Sequence, residues 1–81
     1  MSAERIEKIL VEDVWKSHAE RFSSYELKHI IERKTGIYMT DAEMQRILTE
    51  HGFARVKNTE SWFTGKINPV LLNDYYRGGK R

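Results

Sequence analysis

Residues 40–65 constrain the fold of this chain more than any other stretch. They read TDAEMQRILTEHGF and then ARVKNTESWFTG. Thr40 and Glu43 have the spacing of a capping box, in which the hydroxyl accepts a backbone N–H and the carboxylate reaches back to the cap. Met44, Ile47 and Leu48 follow at i, i+3 and i+4, the buried face of a helix that runs to His51. Gly52 is placed to end that helix, and Phe53 to turn back onto the core. Residues 54–57 and 62–66 then read as two strands, joined by the polar loop Asn58-Thr59-Glu60-Ser61. The pattern requires a β-ribbon lying alongside a helical cluster.

Upstream, Ser23 and Glu26 repeat the capping spacing. The helix they open runs to about Lys34, with Leu27, Ile30 and Ile31 inward and Phe22 placed to staple onto Leu27. Thr35-Gly36 ends it. Residues 3–21 predict an earlier helix, because Ile6, Ile9, Leu10, Val14 and Trp15 recur at helical spacing with no Gly or Pro between them. Glu4 and Glu7 near its start suit the helix dipole. Between the second and third helices, Ile37-Tyr38-Met39 reads as a brief strand pairing with the ribbon. Asn68-Pro69 opens a last helix over about 69–77, Asn as N-cap and Pro as its first residue. Gly78-Gly79 starts a flexible tail over 78–81.

The chain has 81 residues, 40% hydrophobic and 32% charged, which predicts one globular domain over 1–81 with its core at about 3–67. A net charge of +2 steers nothing strongly, but it is unevenly spread. Residues 1–51 carry eight basic and ten acidic groups, whereas residues 52–81 carry six basic and two acidic ones. The ribbon and tail are the basic end. With no cysteine there are no disulfides, thiolate metal sites or cysteine nucleophiles. No apolar run suits a membrane span or a signal peptide, so the expected setting is cytoplasmic.

Little here carries reaction chemistry. His18, His29 and His51 fall on three different predicted helices, at no metal spacing. Glu26 and His29 form one Glu-x-x-His step, where a di-iron bundle needs two and further carboxylates. No glycine-rich phosphate loop precedes a helix, and no serine sits in a Gly-x-Ser-x-Gly turn. The expectation is a non-enzymatic protein with no cofactor and no metal. Trp62-Phe63 puts one ring inward and one outward, since successive side chains on a strand alternate. The outward ring is either covered by the last helix or open to stack on a base or a partner. Tyr75-Tyr76 docks the last helix or forms a homodimer surface.

The order helix, helix, strand, turn, strand predicts an α+β, mainly α fold: a winged helix-turn-helix with a three-helix core, a β-hairpin wing and an additional C-terminal helix. In such a fold the third helix enters the major groove and the wing grips the backbone. Gln45, Arg46 and Thr49 are then base-side contacts. Arg55, Lys57 and Lys66 suit phosphates, and Lys28, Arg33 and Lys34 add backbone contacts from the flank. Against this stand Asp41, Glu43 and Glu50, which make the third helix net acidic and favour the alternative, a protein-interaction module using that helix.

The runs Glu20-Arg21-Phe22-Ser23-Ser24-x-Glu26-Leu27, Met44-x-x-Ile47-Leu48-x-x-x-Gly52-Phe53 and Trp62-x-x-Gly65 resemble a known pattern. It is that of the small C-terminal winged-helix domains of phage and plasmid primase–helicases and of virulence-associated protein E. The resemblance covers roughly residues 14–67. It implies a free-standing winged-helix protein of a phage or mobile element, acting in replication or transcription regulation, and transfers no activity. The expected partner is double-stranded DNA, with a protein partner as the alternative. A homodimer is compatible with either.

Overall fold

The computed structural model describes residues 2–78, with side chains from Glu4 to Arg77. Its elements in chain order are α1 (Ser2–Glu12), β1 (Val14–Trp15), β2 (Arg21–Ser23), α2 (Ser24–Thr35), α3 (Asp41–Glu50), β3 (Trp62–Thr64), β4 (Lys66–Ile67) and α4 (Pro69–Gly78). The fold is α+β and mainly helical. The expected tail over 78–81 lies almost wholly outside the described residues.

Helix α2 is central and packs against α1, α3 and α4. Its inner residues Leu27, Ile30 and Ile31 are fully buried and meet Met44 and Leu48 of α3 in one continuous core. Burial of each such side chain contributes about 1.5–3 kcal/mol. Ser23 caps α2 as expected, its hydroxyl accepting from the Tyr25 and Glu26 amides. The reciprocal half of that box is not made with Ser23: the Glu26 carboxylate instead accepts the Tyr76 hydroxyl of α4. Around α3 the box is complete, with Glu43 N–H donating to Thr40 Oγ1 at 3.1 Å and Thr40 N–H to Glu43 Oε1 at 2.9 Å. At its other end Gly52 adopts φ 86°, its N–H bonding Thr49 O at 3.1 Å while Phe53 N–H bonds Leu48 O at 3.0 Å. This is the Schellman closure, with Phe53 and Leu48 as its buried apolar pair.

Three expectations require correction. The first helix does not reach residue 21; it ends at Glu12. Nothing local stops it. Instead Val14 and Trp15 pair with Ile67 and Lys66, and the helix-end carbonyl of Asp13 accepts the Asn68 N–H at 2.7 Å. Residues 21–23 form the second strand, paired antiparallel with residues 62–64. Secondly, residues 37–39 are not a strand. Their amide donors go to side chains: Ile37 N–H to Thr35 Oγ1 and Met39 N–H to the Glu32 carboxylate. The short strand facing the ribbon therefore lies between α1 and α2, not between α2 and α3.

Thirdly, the ribbon is shorter than read. Arg55 alone bridges Phe63, flanked by Thr64 N–H to Ala54 O and Val56 N–H to Trp62 O. β3 is thus the middle of three extended segments, with β2 on one side and residues 54–56 on the other. Gly65 then breaks the run, at φ 150°, and β4 pairs with a different partner. A Cβ at Gly65 would lie 2.8 Å from both the Phe22 ring and the Trp15 carbonyl oxygen. Only glycine lets the strand pass that close.

Candidate nucleic-acid interface

The third helix was expected to present hydrogen-bonding groups outward. The structure places them on one face together with Arg55, but most are engaged within the molecule. The Asp41 carboxylate accepts Ser24 Oγ at 2.7 Å, Gln45 Nε2 at 2.8 Å and Ser61 Oγ at 3.3 Å. Gln45 Oε1 accepts Arg55 Nη2 at 3.4 Å. Thr49 Oγ1 donates to its own helix at Gln45 O, and Arg46 pairs with Glu50 at 3.1 Å. Serine at the start of α2, aspartate at the start of α3 and arginine on the 54–56 segment are therefore joined in one polar chain. The three carboxylates that made α3 acidic are accounted for inside it: Asp41 as junction, Glu43 as cap, Glu50 as the partner of Arg46.

The remaining expected contacts scatter. Lys28 is buried; its ammonium lies over the Tyr25 and Tyr38 rings and 3.2 Å from Glu32. Burial alone would raise the Glu32 carboxyl. The Met39 N–H and the Lys28 ammonium outweigh it and hold that carboxyl below its ordinary range. Lys66 sits 3.8 Å from Glu20. Arg33 lies over the Tyr75 ring and, with Lys34, lines a cavity against α4. Lys34 also faces Arg5 and Lys8 of α1. Lys28, Arg33 and Lys34 thus do not extend the α3 surface.

A different surface emerges on the outer face of the three-segment sheet. Phe63 is fully buried against Phe22, so its neighbour Trp62 projects outward and stays 43% exposed. The cross-strand register puts Arg21 opposite Thr64, and both lie on Trp62's side of the sheet. Lys57 is exposed at the turn beyond Val56. Below this face, Lys16, Ser17, His18, Gly52, Ala54 and Thr64 line a shallow depression of about 190 Å³. Among the described residues, neither Arg21 nor Lys57 has a carboxylate within 4.0 Å, in contrast to Lys28, Arg46 and Lys66. Glu60, exposed on the same turn, is the carboxylate nearest in sequence to Trp62.

No family model, no curated protein and no solved structure matches this chain. Among the described residues no three His, Asp or Glu side chains are grouped to hold a metal ion. No helix among them is long and apolar enough to cross a membrane.

The sequence did not bring Arg21, Lys16 and His18 to this face because residues 3–21 read as one helix, on a stripe running from Ile6 to Trp15. The alternation charged, apolar, polar at Arg21-Phe22-Ser23 was the available signal, but three residues are too few to fix a period.

Proposed function

We propose that this chain is a small, non-enzymatic winged-helix protein that binds DNA, and that the sheet face and the hairpin turn make the main contacts. Two features support the fold reading. The strand β2 lies between α1 and α2 and pairs with the second strand of a hairpin that follows α3. Helix α3 also packs directly on α2, as the reading helix of a helix-turn-helix packs on its support. The observation that carries the function is that Arg21 on the sheet and the exposed Lys57 at the turn have, among the described residues, no carboxylate within 4.0 Å, and they lie on the strands and turn with which this fold grips a phosphate backbone.

The internal engagement of Gln45 and Arg46 makes α3 a support for Arg55 more than a reader of base edges. Binding of this kind is governed by phosphates and is weakly sequence-selective. The alternative, an acidic α3 engaging a basic protein, draws less support, since Asp41, Glu43 and Glu50 are all occupied within the chain. The resemblance to phage and plasmid winged-helix domains makes replication or transcription of a mobile element the proposed setting, in the cytoplasm.

Binding of a random-sequence duplex across a salt series tests the reading. Three to four phosphate contacts give a log–log slope of about −3. Replacing Arg21 or Lys57 by Ala lowers the slope by about one each and weakens all sequences alike. A flat salt dependence, or no binding to any DNA at low salt, overturns it.

A further inference from the structure

Trp62 poses a question that phosphate contacts do not answer. An indole held outward on the middle strand of a sheet, half exposed, with a buried phenylalanine beneath the same strand, is a rigid flat surface. The ring is flanked by its cross-strand neighbours Ser23 and Val56, and Ser23 keeps its hydroxyl on the α2 cap. In its own row of the sheet the indole thus has a serine on one side and a valine on the other. One row away lie Arg21, Thr64 and Ala54, and beyond them the depression lined by His18 and by Lys16, whose ammonium lies over the Phe53 ring at 5.1 Å with no carboxylate partner among the described residues. Toward the turn, Lys57 is exposed one residue beyond Val56, the cross-strand neighbour of Trp62. Cations thus occur toward both ends of the strand that carries the exposed indole.

Resting on the DNA-binding reading above, we propose that this face is a platform for single-stranded DNA, on which Trp62 stacks against an unpaired base while Lys57 on one side and Arg21 with Lys16 on the other hold successive phosphates. A base in a duplex has both π-faces covered by its neighbours, so an outward indole has a base to stack on only where the strand is unpaired. Sequence-specific recognition of a duplex instead needs free donors and acceptors aimed at base edges. On α3 those of Gln45 are bound to Asp41 and Arg55, and that of Thr49 to its own helix. A basic track with an interleaved aromatic ring is the chemistry of sequence-tolerant single-strand binding. Two carboxylates oppose it among the described residues: Glu60, exposed at the turn, and Glu20, which adjoins Arg21 and pairs with Lys66.

The test uses the full chain with a W15F background, so that emission reports Trp62 alone. The probes are a twelve-nucleotide oligo-dT strand and a twelve-base-pair duplex. The expected results are quenching of Trp62 by the single strand, tighter binding of the strand than of the duplex, and a 5- to 100-fold loss of strand affinity in W62A with duplex affinity unchanged. W62F, which keeps an aromatic face, retains most of the strand affinity, and E60Q strengthens it at low salt. Unquenched emission, or a W62A variant that binds both probes as the wild type does, overturns the platform while leaving DNA binding in place. Equal weakening of both probes by W62A, with W62F no better, also overturns it by showing a structural role. Binding of neither probe by the wild type overturns both proposals together.

Discussion

Replacing Asp41 by Ala is the sharpest perturbation of this fold, because three elements converge on one carboxylate. Ser24 is fully buried, and its hydroxyl donates to Asp41 at 2.7 Å. Without that acceptor the hydroxyl is stranded away from water, at a cost of about 1–3 kcal/mol. Gln45 and Ser61 are only half-buried and recover water, so each adds less than about 1 kcal/mol. Loss of an acid from the first turn of α3 adds a further ~0.3–1 kcal/mol. D41A is therefore destabilised by about 2–4 kcal/mol, which for a domain of this size lowers the melting temperature by roughly 10–30 °C. Urea unfolding of D41A, S24A and the double variant measures the pairwise part. Removing both partners leaves no stranded hydroxyl, so the double variant is more stable than the sum of the single losses by about 1–2 kcal/mol. Strict additivity, or a D41A midpoint within ~0.5 kcal/mol of the wild type, would refute the junction.

Further outcomes follow from the same geometry. G65A forces a methyl against the Phe22 ring and the Trp15 carbonyl, each 2.8 Å away, and costs about 3–5 kcal/mol, read as a loss of cooperative melting. N68A removes the side chain that accepts Val70 N–H and donates to Asp13, and lowers stability by about 1–2 kcal/mol; faster amide exchange in the first turn of α4 reports it. Glu32 has a folded value depressed below its ordinary 4.5, so its contribution is complete above about pH 4.5 and disappears as pH falls through the lower folded value. Acid unfolding of E32Q, compared with the wild type, shows a shallower loss over that range. The Tyr76 hydroxyl donates to Glu26, which raises its ionisation above 10.0. Its contribution persists below about pH 10.0 and is lost as pH rises through the raised value, and Y76F abolishes that alkaline loss.

The features that were legible in the sequence are local ones. Both caps at Ser23 and Thr40, the Gly52-Phe53 closure and the Asn68-Pro69 start each depend on residues within a few positions of one another, and each is present. The alternation at Trp62-Phe63 also gave one inward and one outward ring, without saying which; Phe63 is the inward one. What could not be read was long-range. Val14-Trp15 looks like the fourth turn of an amphipathic helix, and only its pairing with residues 66–67 makes it a strand. Ile37-Tyr38-Met39 looks like a strand, and only the Glu32 carboxylate and the Thr35 hydroxyl, by taking its amides, keep it out of a sheet. The interface suffered most from this. Gln45 and Arg46 do lie on the outer side of α3, but their partners Asp41, Arg55 and Glu50 decide what is left to offer a ligand.

The bond between Asp13 and Asn68 joins positions 55 apart in the chain. Together with the Val14–Ile67 pair it ties the exit of the first helix to the entry of the last. During translation, Val14 and the carbonyl of Asp13 stay without their native neighbours until residues 66–68 have left the ribosomal tunnel. The first helix therefore cannot reach its final seat as it is made, and the polypeptide locks into shape late, in one long-range step.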